Sequence, residues 1–128
     1  MNDLCIPATA SSPSVSAIWD TGLVQLAGDS YPENSYELFA PLIAWIERYL
    51  LREDNQPLKL ELGLLYLNTS SVKSMMDIFD LLEEAHRSGR ALQVTWHYSP
   101  RNERVAELAE EFREDCSFPF AITPLNGN

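Results

Sequence analysis

Apolar positions along this chain follow two different periods in turn. Ala17-Ile18-Trp19 and Leu23-Val24-Gln25-Leu26-Ala27 flank Asp20-Thr21-Gly22, which predicts two short strands around a glycine-containing turn. From Leu38 the spacing changes. Leu38, Phe39, Leu42, Ile43, Trp45, Ile46, Tyr49 and Leu50 form a helical stripe, with Asn34 or Ser35 as its N-cap and Asp54-Asn55-Gln56-Pro57 as its end. Leu58 to Leu67 is the most apolar stretch and reads as a strand buried along most of its length, as in the middle of a parallel sheet. Val72, Met75, Met76, Phe79, Leu82 and His86 trace a second helical face, closed by Gly89. Ala91 to His97 is a strand. Ser99-Pro100 reads as the N-cap and first-turn proline of a third helix, whose apolar face is Val105, Leu108, Ala109 and Phe112. Phe118 to Ile122 makes the last strand.

The predicted order is β-β-α-β-α-β-α-β. That is an α/β fold with a mixed sheet, in which a hairpin precedes right-handed crossovers. Residues 15–123 form the single domain. Residues 1–14, rich in Ser, Pro and Ala, read as a flexible tail with room for one short edge strand, and residues 124–128 as a frayed C-terminal tail. In such sheets function gathers at the carboxyl ends of the strands. Two loops lie there, Asp29–Asn34 and Asn68–Ser71.

Charge narrows the partners. Nineteen carboxylates against 9 Lys and Arg leave a formal net charge of −10 on 128 residues. This argues against duplex nucleic acid and anionic membrane surfaces, and favours a partner with a basic docking face. No run of about 18 apolar residues exists to span a membrane. Met1 to Ser14 lacks the basic and apolar regions of a secretory signal. Cys5 and Cys116 are unclustered and near opposite ends, which reads as a reduced, cytoplasmic chain. His86 and His97 stand on different predicted elements, with no zinc-ligand spacing, so neither a metal nor a cofactor is expected.

The chemistry is concentrated in one segment. Asn68-Thr69-Ser70-Ser71 joins the most apolar strand to the second helix. A helix start needs one capping side chain, and three consecutive hydroxyls exceed that need. Free N–H groups and the dipole make the same place tolerant of anions. A phosphate on one hydroxyl would add about −1.5 to −2 charges there, and Lys73, one turn on, is placed to pair with it. Asp29-Ser30-Tyr31-Pro32-Glu33-Asn34-Ser35-Tyr36 is polar and dense in hydroxyls, and its two tyrosines offer rigid contact area at low entropic cost. Asp77, Asp80, Glu83 and Glu84 read as a solvated helix face. No Gly-rich phosphate loop, GxSxG elbow or HExxH occurs, so no catalytic residue is assigned.

Two blocks carry a resemblance. Asp29 to Phe39 (DSYPENSYELF) and Leu64 to Asp77 (LLYLNTSSVKSMMD) are similar to the SiaC family of bacterial regulatory phosphoproteins, and the likeness runs from about residue 15 to 122. The resemblance implies a fold like that of anti-sigma-factor antagonists, the STAS type. It implies a non-enzymatic switch in a partner-switching circuit. A protein kinase of the histidine-kinase-like ATPase type would phosphorylate a threonine, here Thr69, and a metal-dependent serine/threonine phosphatase would reverse it. The unphosphorylated form would bind and activate a diguanylate cyclase, raising cyclic di-GMP and promoting biofilm. Asn68, Ser70, Ser71 and Lys73 would surround the phosphosite, and Asp29, Ser30, Tyr31, Glu33 and Asn34 would help dock partners. Anti-sigma-factor antagonists of the older type carry Asp-x-Ser-Gly, where this chain has Tyr66-Leu67-Asn68-Thr69-Ser70-Ser71. A sigma-factor regulator as target, and a small enzyme or ligand-binding module, stand as the alternatives.

Overall fold

The computed structural model describes residues 3–54 and 56–125. Its elements are β1 (Leu4–Ile6), β2 (Ser14–Ile18), β3 (Leu23–Ser30), α1 (Ser35–Leu50), β4 (Leu58–Leu67), α2 (Thr69–Arg87), β5 (Leu92–Tyr98), α3 (Glu103–Glu114) and β6 (Phe120–Pro124). The strands form one six-stranded sheet in sequential order. β1, β2 and β3 are antiparallel neighbours, and β3 to β6 are parallel. Gly22, at φ +75°, makes the turn between β2 and β3.

Sequential parallel strands joined by right-handed crossovers place all three helices on one face of the sheet. Burial follows that arrangement. Val24, Leu26, Leu58, Leu60, Leu62, Leu64, Leu92, Val94 and Trp96 are buried, and they meet Phe39, Leu42 and Ile46 of α1, Met75, Ile78 and Leu82 of α2, and Ala109 of α3 in one core. The alternate residues Gln25, Lys59 and Gln93 are exposed on the other face. So β4 is not buried along most of its length, contrary to expectation. It is central in the sheet but covered on one side only, and Lys59 and Glu61 mark the open side.

The parallel register of β3 and β4 is broken once. Gly28 pairs with Leu64, but Asp29 pairs with Tyr66, so Leu65 is an extra residue in β4. The carbonyls of Leu64 and Leu65 are met by side chains instead, Trp96 Nε1 at 3.4 Å and Asn102 Nδ2 at 3.0 Å. There is a second departure. Ser99-Pro100 does not cap α3. Asn102 N–H donates to Ser99 O at 2.9 Å in a turn, and α3 starts at Glu103 with no side-chain cap.

The ends differ as well. Residues 1–14 are not a tail throughout: Leu4 and Ile6 pair with Ala17 and Val15 as edge strand β1, and Thr9 and Ser12 close a turn through their hydroxyls at 2.6 Å. Three strand residues carry too little alternation to be read with assurance from sequence. Pro124 belongs to β6, and Leu125 N–H donates to Tyr98 O at 2.8 Å. Met1, Asn2, Asn55 and the end of the expected C-terminal tail, Asn126 to Asn128, lie outside the described residues. The last strand starts at Phe120 rather than Phe118, and Asp29 and Ser30 lie in β3 rather than in a loop.

Candidate functional site

The carboxyl ends of β3 and β4 deliver the N-termini of α1 and α2 side by side. Asn34 caps α1, its Oδ1 accepting from Glu37 N–H at 3.0 Å. Asn68 caps α2 in the same way, accepting from Ser71 N–H at 2.9 Å. Asn68 is itself fixed at both ends of its side chain and at its backbone. Its Nδ2 donates to Pro32 O at 3.3 Å, and its N–H donates to Ser30 O at 2.8 Å.

Four serines cross-link the two helix starts. Ser71 Oγ donates to Ser30 O at 3.1 Å, so the 2.7 Å contact between the Ser30 and Ser71 hydroxyls takes its proton from Ser30. Ser70 Oγ donates to Asn68 Oδ1 at 3.2 Å, so its 2.7 Å contact with Ser35 takes the Ser35 proton. Every hydroxyl proton of the four has an acceptor. Ser30, Ser35 and Ser71 are buried. Thr69 is the exception. It is exposed as the first residue of α2, and its hydroxyl makes no hydrogen bond among the described residues. Of the three consecutive hydroxyls, those of Ser70 and Ser71 are hydrogen-bonded and that of Thr69 is not. An anion on Thr69 would meet the dipole of a 19-residue helix and the unpaired N–H groups of its first turn. Lys73, one turn along α2, is exposed and makes no ion pair among the described residues.

The five residues expected to dock partners separate. Asp29, Tyr31, Glu33 and Asn34 reach the surface, whereas Ser30 is fully buried and supports the site from beneath. Tyr31 is held from two sides: its hydroxyl donates to Ala10 O at 2.6 Å and its ring lies edge-on to Tyr66 at 6.0 Å. Tyr36 and Tyr66 are exposed to 79% and 48%, so with Tyr31 three aromatic rings reach the surface on the segments that lead into α1 and α2. Met76, expected on the buried face of its helix, is half-exposed, because α2 turns Met75 and Phe79 to the core instead. Glu83 is not simply solvated: it accepts from Ser117 N–H and Oγ and from Arg87 Nε.

A family model described as SiaC family regulatory phosphoprotein matches residues 6–125. The chain belongs to the SiaC family. An uncharacterized protein of Pseudomonas aeruginosa (strain UCBPP-PA14) is 64% identical over 122 residues, 95% of this chain and 96% of that protein. The crystal structure of apo-SiaC from Pseudomonas aeruginosa matches with a TM-score of 0.91 and 62% identity, covering 96% of this chain and 99% of that one. A structure of the diguanylate cyclase SiaD in complex with its activator SiaC, also from Pseudomonas aeruginosa, matches with a TM-score of 0.91 and 63% identity, over 96% of this chain and 100% of that one.

Ser35 and Tyr36 belonged to the loop expected to dock partners, but the bonds from Ser35 to Ser70 and Ser71 and the exposure of Tyr66 beside Tyr31 were not expected. The surplus of hydroxyls at Thr69-Ser70-Ser71 was the available signal for a serine partner. Nothing in the spacing said that the partner would come from α1, 35 residues away. A cavity of about 660 Å³ opens at the opposite ends of α1 and α2, among Glu47, Leu51, Glu84 and Arg90, away from this site. No helix among the described residues is long and apolar enough to cross a membrane.

Proposed function

We propose that this chain is a cytoplasmic, non-enzymatic phosphoswitch whose unphosphorylated form binds and activates a diguanylate cyclase. A cognate kinase of the histidine-kinase-like ATPase type adds phosphate to Thr69, and a metal-dependent phosphatase removes it. The observation that carries this reading is the single unbonded, exposed hydroxyl at the start of α2, in a chain 63% identical to a cyclase activator. The neighbouring Ser70 and Ser71 hydroxyls support the choice of Thr69, since a kinase would have to break their bonds first.

The switch works by charge at a docking surface. A phosphate at an exposed helix N-terminus gains ~0.3–1 kcal/mol, so the fold tolerates it. A partner packed against Thr69 must instead desolvate about two negative charges, which costs several kcal/mol unless a cation meets them. A penalty of ~3 kcal/mol already lowers affinity more than a hundredfold. Asp29, Tyr31, Glu33 and Asn34, with Tyr36 and Tyr66, supply the contact surface beside it.

The test uses cyclic di-GMP synthesis by the Pseudomonas aeruginosa cyclase SiaD. Thr69→Ala should activate it as the parent does, and Thr69→Asp should activate it poorly. Both should melt within a few degrees of the parent. Equal activation by the two variants, or loss through unfolding, would defeat the mechanism. Phosphopeptide mapping after kinase treatment should find the phosphate on Thr69; finding it on Ser70 or Ser71 alone would reassign the switch.

A further inference from the structure

A cleft of about 210 Å³ runs between α2 and α3. Val72 and Met76 form one wall and Leu108 the other, with Phe112 at the base. Val72 and Met76 follow Thr69 at helical spacing, three and seven residues on, so the cleft continues the strip of α2 that carries Thr69. Met76 is 50% exposed, an unbranched thioether that adapts to what it meets. The cleft is below the ~300–1,000 Å³ of small-molecule and cofactor sites. It is sized for one large apolar side chain, the kind of anchor that dominates protein interfaces.

Its rim has one sign. Asp80, Glu111 and Asp115 line the opening, and no Lys or Arg does. The field reaches the floor: burial, then the charges of Glu83, Asp115 and Asp80, push the Cys116 thiol up to about 11. An apolar anchor alone would not distinguish partners; the carboxylates favour flanking cations and repel flanking carboxylates.

We infer that the α2–α3 cleft is an anchor pocket that receives one large apolar side chain from a partner segment flanked by Lys or Arg. The inference rests on the proposed phosphoswitch, in which that partner is the cyclase. Anchor and switch are separated along α2: Asp80 lies about 16 Å from Thr69, so the basic flank meets the rim while the phosphate meets the surface packed on Thr69 and withdraws the affinity that the pocket supplies.

The probe is the Pseudomonas aeruginosa cyclase SiaD, titrated against the full chain and its variants. Met76→Glu and Leu108→Gln should each weaken binding about tenfold or more; the melting temperature should be unchanged in Met76→Glu and lower in Leu108→Gln, whose leucine also packs on the core, with both variants folded at the temperature of the titration. Met76→Leu should bind like the parent. The triple variant Asp80→Asn, Glu111→Gln, Asp115→Asn should bind with a clearly flatter dependence on ionic strength. Unchanged affinity in Met76→Glu and Leu108→Gln would overturn the pocket, and an unchanged salt slope would overturn the basic flank. Thr69→Asp separates the two ideas. If it weakens binding while the cleft variants do not, the pocket fails and the switch stands; if the cleft variants weaken binding while it does not, the switch fails and the pocket stands. No binding by the parent chain would remove both.

Discussion

Gly22 sits at φ +75°, and a β-carbon there would lie 2.2 Å from both Pro57 O and Tyr49 Oη. Tyr49 is buried, and its hydroxyl donates to Pro57 O at 2.9 Å, so it has no room to yield. Gly22→Ala should therefore destabilise the chain by at least ~2 kcal/mol, combining left-handed strain with overpacking. A urea titration checks it, and a loss below about 0.5 kcal/mol would show that the turn relaxes. The serines make a graded case. Ser71→Ala leaves the buried Ser30 hydroxyl without its partner and should cost ~1–3 kcal/mol, whereas Ser70→Ala, at an exposed position, should cost less than ~1 kcal/mol. Equal losses would mean that the network is not held from its buried side. At this scale the sequence was partly legible. Gly89 announced its place at a helix end through residue type, and the caps of α1 and α2 were narrowed to Asn34 or Ser35 and to the Asn68–Ser71 segment, of which Asn34 and Asn68 are the ones used. The exposure of Met76 did not, since one position on a helical stripe can fall either side of the buried arc.

Helix α2 carries the candidate site at one end and a tether near the other. Asn68→Ala removes its cap and the link to Pro32 and should cost about 1 kcal/mol, read as a lower urea midpoint with unchanged slope. Further along, Glu83 accepts from Ser117 Oγ at 2.6 Å and Ser117 N–H at 2.7 Å, tying α2 to the segment between α3 and β6. The Ser117 hydroxyl, then its backbone N–H, with Arg87 adding, hold the Glu83 carboxyl down at about 2 against its usual 4.5. The folded value lies below the unfolded one. The stabilisation is thus complete above about pH 4.5 and is lost as pH falls towards 2. Thermal melts of the parent should fall more steeply across that window than melts of Glu83→Gln, and parallel curves would refute the tether. Strand and helix identities were readable because the apolar periods are clean over β4, α1 and α2. The starts of α3 and β6 were not. Ser99 instead accepts from Asn102 N–H in a turn that delays α3 to Glu103, and no local pattern reports that Asn102 also reaches Leu65, 37 residues away.

The whole molecule is one-sided. Helices cover one face of the sheet, and the net charge of −10 surrounds it. Association with a basic partner should slow as ionic strength rises toward the range where the Debye length is ~8 Å. Stopped-flow measurement at several salt concentrations checks this; a rate indifferent to salt would shift the weight to apolar contacts. The order of elements was legible at this scale because alternating strands and helices leave few topologies. The bulge at Leu65 was not, and its effect reaches beyond the sheet. Tyr66 and Leu67 resume the outward and inward places that would directly follow Leu64, so Leu65 takes up slack without rotating what comes next. Chain length and the bearing of Thr69 are thereby uncoupled at this one point. Losing a residue here would leave Thr69 facing the same way, at the expense of the carbonyl that Asn102 grips. The same loss three residues earlier would turn the strand over and carry the switch with it.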